Sequence, residues 1–150
     1  MKTLCILTAG KGSRLSNYSK LVNKALLPIN KKAAISHIID KFPKDTRIIV
    51  AIGHLGDQVK DFLEISYPER KIIFVRIKNF SGKKSGPGKS LLACKKFLNK
   101  DFYFVSCDTI WKKNIKKKET HNWMGVSEKL FYNPKDYCNL LSNNQKIIDI

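Results

Sequence analysis

Four apolar runs, at residues 2–8, 47–52, 71–77 and 102–107, alternate along this chain with stretches whose apolar residues recur at helical spacing. Lys2 to Thr8, Arg47 to Ile52 and Phe102 to Cys107 read as buried strands, and Lys71 to Ile77 as a further strand. Between them, Ala33 to Phe42 sets Ile35, Ile38, Ile39 and Phe42 along one helical side. Asp57 to Ile65 does the same with Val59, Phe62 and Leu63, and Ser90 to Leu98 with Leu91, Leu92, Cys94 and Phe97. Strands and helices in alternation build parallel β-α-β units, which need right-handed crossovers and covered faces.

The fold class expected is therefore α/β, a Rossmann-like three-layer α/β/α sandwich with a mainly parallel sheet. Open sheets of that kind bind ligands beyond the carboxyl ends of their strands, so the loops 9–15, 82–90 and 107–111 are expected to converge on one crevice. A chain of 150 residues with 43% hydrophobic content builds one core, and a single domain over 1–150 is expected. From Asn122 onward the texture changes to short strand-like pieces, 123–126, 137–141 and 146–150. The last piece ends in mid-pattern, and the expectation is a shortened form of a longer domain.

The run Leu4-Cys5-Ile6-Leu7-Thr8 feeds directly into Ala9-Gly10-Lys11-Gly12-Ser13-Arg14-Leu15, and Asn23-Lys24-Ala25-Leu26-Leu27-Pro28 follows. Glycine lets backbone N–H groups approach phosphate oxygens with no side chain between them. A dinucleotide fingerprint would need a third glycine at position 15, where this chain has Leu15. Two glycines alone also make an ordinary tight turn. Arg14 and Lys24 add the charge that a bare turn does not require.

The combined pattern resembles the signature of the sugar-phosphate nucleotidyltransferase family: an apolar strand, Ala-Gly-x-Gly-[Thr/Ser]-Arg-Leu, then Pro-Lys-x-Leu. The resemblance implies the nucleotide-diphospho-sugar transferase type of sandwich. It further implies nucleotide binding by Ala9, Gly10, Lys11, Gly12, Ser13, Arg14 and Lys24, with Lys24 and Arg14 as the catalytic pair. Asn23 stands where the family has proline, a change expected to cost rigidity and leave the charge of Lys24 in place.

Two later loops extend the reading. Ser81 to Ser90 contains Gly86 and Gly88, where the resemblance places recognition of the base; Ser90 is equally well a helix cap. Gly88-Lys89-Ser90 also invites a P-loop kinase or ATPase, but the glycine needed five residues earlier is Lys83. Asp108 ends an apolar strand and matches the family's metal-binding aspartate, with a helix N-cap as the ordinary alternative. Mg²⁺ is the cofactor implied, since it takes one or two carboxylates and completes its shell with phosphate oxygens and water.

The implied reaction transfers a nucleoside monophosphate from CTP, dTTP or UTP to a phosphorylated small molecule such as a sugar 1-phosphate or phosphocholine, releasing pyrophosphate. Capsule or surface-polysaccharide precursor synthesis in bacteria is the setting it implies. The family's second metal-binding aspartate and many acceptor contacts lie in a later portion that this chain is expected to lack. Gly53 to Val59 resembles a family segment beneath the acceptor region and serves equally as a turn and helix start.

The charge of +17 raises nucleic acid as a rival partner. Only four of the 29 basic residues are arginine and the lysines are dispersed, so a solvated surface is expected and no nucleic acid. The densest run, Trp111 to Lys118, reads as a charged loop or helix face. A non-catalytic basic binding domain stays as the third class. Cys5, Cys94, Cys107 and Cys138 form no metal-ligand spacing, and His37, His54 and His121 are scattered. No run is long enough to span a bilayer and no signal peptide opens the chain, so no membrane partner and a cytoplasmic location are expected. A homo-oligomer stays open.

Overall fold

The computed structural model describes residues 2–15, 17–82, 85–112, 121–126, 140–144 and 146–149. The chain divides into two compact units, Met1–Asn114 and Ile115–Ile150. The first holds β1 (Thr3–Leu7), α1 (Tyr18–Leu21), β2 (Pro28–Ile29), β3 (Lys32–Ala33), α2 (Ala34–Ile39), β4 (Arg47–Ile52), α3 (Gly56–Ser66), β5 (Ile72–Arg76), α4 (Pro87–Ala93) and β6 (Phe102–Ser106). Short 3-10 turns lie at Ser13–Leu15, Lys24–Leu26 and Lys95–Phe97.

β5, β4, β1 and β6 form one sheet in that order, every pair parallel. The expected α/β sandwich is therefore borne out. In parallel register, paired residues share a face: Leu4, Ile48 and Tyr103 make one row, and Ile6, Val50 and Val105 the next. On this side Phe42, just beyond α2, meets the Tyr103 ring edge-on at 5.2 Å, and Gly56 at the start of α3 stands against Ile52. On the other side Cys5, Leu7, Ile49 and Ala51 pack with Cys94, Leu91, Phe97 and Leu98 of α4 and its exit. Leu4, Ile6, Ile48 and Val50 are fully buried. Each such side chain contributes roughly 1.5–3 kcal/mol.

The strand at 102–107 is less buried than its sequence suggests. β6 is an edge strand, and Phe102 and Phe104, on the face they share with Cys5, remain 39% and 46% exposed. Periodicity identifies a strand but does not tell an edge from a centre.

The helices are also bounded differently from expectation. α2 ends at Ile39, short of Phe42, because Pro43 disfavours helical backbone before it and Arg70 takes the freed carbonyls. The guanidinium donates to Ile39 O at 2.8 Å, Phe42 O at 2.9 Å, and Pro43 O. α4 begins three residues earlier than expected, with Pro87 in its first turn and Gly86 as N-cap. The Ser90 hydroxyl donates to Gly86 O instead of capping the helix. Residues 18–33 hold two features with no periodic signal: the one-turn α1, and the β2–β3 hairpin whose tip, Asn30-Lys31, has φ of 48° and 64°. That is the geometry of a two-residue hairpin with both central residues left-handed, which asparagine tolerates.

In the second unit, β7 (Leu141–Asn143) and β8 (Lys146–Asp149) form an antiparallel hairpin. Residues 123–126 are exposed and form no strand, contrary to the sequence reading; 137–139 lie outside the described residues. No described helix is long and apolar enough to cross a membrane.

Candidate functional site

β4 and β6 flank β1 on opposite sides, so the chain order reverses around β1, the point at which open α/β sheets bind ligands beyond the carboxyl ends of their strands. Thr8 closes β1 against β4: its N–H and its hydroxyl both donate to Ala51 O at 2.9 Å. Residues 9–12 then leave regular structure. Ala9 is buried, whereas Gly10, Lys11, Ser13 and Arg14 are exposed. A side chain at Gly10 would meet nothing within 4 Å. Gly12 has φ of 65°, which favours glycine, and its missing Cβ would lie 3.4 Å from Lys24 Cβ and Cδ. The loop thus runs beside the lysine stem.

Lys24 begins the turn 24–26 and points its ammonium at Asp108, with Nζ 2.9 Å from Oδ2. Lys24 is about one-fifth exposed and Asp108 about half. Asp108 follows β6, where Cys107 N–H donates to Leu7 O at 3.2 Å. Burial works to raise the Asp108 carboxyl, but hydrogen bonds from Lys24 and Ser106 and the Lys24 charge outweigh it and hold it below its ordinary value. Residues 109–112 form no helix, so the N-cap alternative for Asp108 finds no helix there. Next to it, Cys107 is fully buried and its thiol is pushed up to about 12, chiefly by desolvation, which leaves it inert as a nucleophile.

Gly86 and Gly88 flank the first turn of α4, with open space where a side chain would stand at either. Phe80, earlier in that loop, packs at Gly53 beside Ala9, so the loop lies at the same edge of the sheet. Lys83 and Lys84 lie outside the described residues. Gly88-Lys89-Ser90 lies in the first half of α4, and the position five residues before Gly88, where a P-loop has glycine, is Lys83. Lys89 instead lines a cavity of about 260 Å³ with Arg76, Ile77, Lys78, Asn79 and Ala93. Trp111 stacks beneath the Lys41 ammonium at 5.8 Å, and residues 113–118 of the basic run lie outside the described residues.

Asp108 offers a single carboxylate, and no group of three metal-ligating side chains occurs among the described residues. That donor set suits Mg²⁺ shared with phosphate oxygens and does not suit a closed protein cage.

Sequence reasoning missed the group behind Lys24. Asn23 is fully buried, and its N–H donates to Gln58 Oε1 at 3.0 Å, a bond that proline could not make. Its Nδ2 donates to Thr8 O at 3.1 Å and His54 O at 2.6 Å, and its Oδ1 accepts from Ala25 N at 2.9 Å. The substitution that was expected to cost rigidity thus supplies hydrogen bonds in its place. His54 Nε2 lies 2.7 Å from Ser19 O, and its N–H donates to Ala9 O at 3.0 Å. The turn 53–58 therefore supports both the glycine loop and Lys24. Its Gly-His-Leu-Gly sequence between strand and helix was the available signal.

The family model of the MobA-like NTP transferase domain matches residues 4–121. The bifunctional protein GlmU of Methanococcus maripaludis strain S2 is 30% identical over 111 residues, which is 73% of this chain and 25% of that protein. A structure assigned as a glucose-1-phosphate thymidylyltransferase from Bacillus anthracis superposes with a TM-score of 0.61 and 27% identity, covering 77% of this chain and 47% of that one. The CTP:phosphocholine cytidylyltransferase LicC from Streptococcus pneumoniae gives 0.60 and 27%, covering 77% and 49%. The resemblance drawn from the glycine loop is borne out. This chain spans between a quarter and a half of the length of these relatives.

Proposed function

The chain belongs to the MobA-like NTP transferase domain family, and from that premise we propose that loop 9–14, Lys24 and Asp108 hold a nucleoside triphosphate and pass its nucleoside monophosphate to a phosphorylated small molecule. The observation that carries this reading is the meeting of Lys24 and Asp108, 84 positions apart in sequence, beside Gly12 at the carboxyl end of β1.

In the proposed reaction an acceptor phosphate oxygen attacks the α-phosphorus, the bond from the α-phosphorus to the bridging oxygen breaks, and pyrophosphate leaves with the electron pair. A phosphate monoester is already anionic near neutral pH, so no protein nucleophile is needed. Backbone N–H groups of residues 9–13 hold phosphate oxygens. Lys11 and Arg14 take the β- and γ-phosphates that depart. Lys24 bridges the α-phosphate and the incoming phosphate, lowering their repulsion in the transition state. Asp108 is the residue that would hold Mg²⁺, which when bound supplies further neutralisation of phosphate charge. Gly86 and Gly88 leave room for the base.

CTP, dTTP or UTP as donor and a sugar 1-phosphate or phosphocholine as acceptor are the substrates we infer, supported by what the two structural relatives are named for. Synthesis of capsule or surface-polysaccharide precursors, in the cytoplasm, is the role that fits such products. Lys24→Ala and Asp108→Ala are expected to abolish most pyrophosphate release while leaving the fold intact. A thermal-shift panel of CTP, dTTP, UTP, ATP and GTP with Mg²⁺ tests the reading, because a ligand bound only by the native state raises the melting temperature. Pyrimidine triphosphates raising it supports the proposal; a response to none of the five overturns it.

A further inference from the structure

All the backbone and side-chain hydrogen-bonding groups of Asn23 are engaged. Besides the four bonds already given, its carbonyl accepts from Leu26 N at 2.9 Å, closing the turn that carries Lys24. Gln58 completes the group: Oε1 takes the Asn23 N–H while Nε2 donates to Leu21 O at 2.9 Å. The two members of the Lys24–Asp108 pair are thereby referenced to consecutive carbonyls at the end of β1. Asp108 hangs from Leu7 O through Cys107 N–H, and Lys24 from Thr8 O through Asn23 Nδ2. A lysine stem has four rotatable bonds, so its ammonium stays opposite one carboxylate only if its backbone is fixed.

We propose that Asn23 and Gln58 are positioning residues that fix the Lys24 ammonium at Asp108; the catalytic value of that placement rests on the nucleotidyl-transfer reading. Asn23 acts through the turn and Gln58 through Asn23. Neither side chain needs to touch a substrate. A buried polar side chain specifies one arrangement when all its groups are satisfied, as those of Asn23 are here.

The test reads Lys24 directly and without nucleotide. The full chain is labelled with acetic anhydride, and acetylation rates of individual lysines are followed by mass spectrometry. Asn23→Ala loses the three side-chain bonds to Thr8 O, His54 O and Ala25 N, and Lys24 is expected to label at least about fivefold faster, the population change that one such bond alone carries. Lys71 and Lys96, remote from the turn, keep their rates. Gln58→Leu is expected to raise the Lys24 rate as well, whereas Gln58→Glu, which can still accept the Asn23 N–H but cannot donate to Leu21 O, recovers part of the difference. Should Asn23→Ala fail to fold, the two Gln58 variants carry the test alone. An unchanged Lys24 rate in Gln58→Leu, or an equal rise at all lysines, overturns the proposal. Because labelling needs no ligand, its outcome is independent of the triphosphate panel, and failure of one is distinguishable from failure of the other.

Discussion

Gly53 and Ala9 touch so closely that a methyl group on Gly53 would lie 2.8 Å from Ala9 O and 2.9 Å from Ala9 Cβ. Phe80 Cβ, at 3.0 Å, closes the third side. Backbone atoms cannot swing aside, so Gly53→Ala is expected to destabilise the protein by about 1–3 kcal/mol through overpacking. Urea unfolding midpoints measure this. Gly10→Ala is the contrast: nothing lies within 4 Å of its added methyl. It is expected to leave stability within about 0.5 kcal/mol of wild type and to weaken triphosphate binding by blocking the approach to the loop.

The same pair shows what could be read from sequence and what could not. The strands and their parallel order follow from the apolar runs because a buried strand must be apolar throughout. Lys24 and Asp108 were reached through the resemblance of their surroundings to a family signature, and the structure brings their side chains together at 2.9 Å. Asn23, Gln58 and His54 were not legible, since their bonds run 15 to 35 positions along the chain to backbone carbonyls and amides. Backbone partners leave little trace in residue identity, and the Gly53-His54-Leu55-Gly56 turn was the one sign of this group. The exposure of Phe102 and Phe104 was hidden for a related reason, as it depends on which strands lie beside β6.

Asp108 makes stability depend on pH with a definite sign. Its carboxyl is held below its ordinary value, so its ion pair stabilises the fold above the ordinary carboxylate range and is lost as pH falls through the lower folded value. Lys24→Met removes the cation. The stability gap between wild type and Lys24→Met is therefore expected to be present near about pH 7 and to shrink as pH falls through the lowered folded value of Asp108. Half-exposure of Asp108 keeps that gap small. Chemical unfolding across this range measures it, and a gap that persists at the acid end would place its origin in packing of the lysine stem.

Arg14 sits in the exposed turn Ser13–Leu15, which contains no buried residue. Interactions of so exposed a side chain are worth little, and replacement by alanine is expected to change stability by no more than about 1 kcal/mol. A guanidinium fork on phosphate makes charge-assisted bonds of about 1.5–3 kcal/mol, so triphosphate affinity should fall by roughly tenfold or more. Arg14→Lys should recover only part of the loss, because an ammonium cannot pair two oxygens in one plane. Titration calorimetry separates the three proteins, and equal affinities would remove Arg14 from the site.

With Asp108 as the proposed metal ligand, Lys24 and a divalent ion would compete for one carboxylate. With Nζ 2.9 Å from Asp108 Oδ2, the ammonium supplies part of the positive charge that a metal would bring to the same oxygen. A metal arriving without nucleotide must displace the ammonium. In Lys24→Met that cost is gone, and Mn²⁺, a paramagnetic stand-in for Mg²⁺, is expected to bind more tightly. The gain is bounded by the worth of a partly exposed ion pair, up to ~1 kcal/mol, hence about fivefold at most. Asp108→Asn removes the anion and should abolish the site altogether. The two variants then share a loss of turnover while moving metal affinity in opposite directions, a split that general damage to the crevice would not produce. Electron paramagnetic resonance titration of free Mn²⁺ reads both, and Asp108→Asn binding Mn²⁺ as tightly as wild type would mean that Asp108 is not the carboxylate the metal uses.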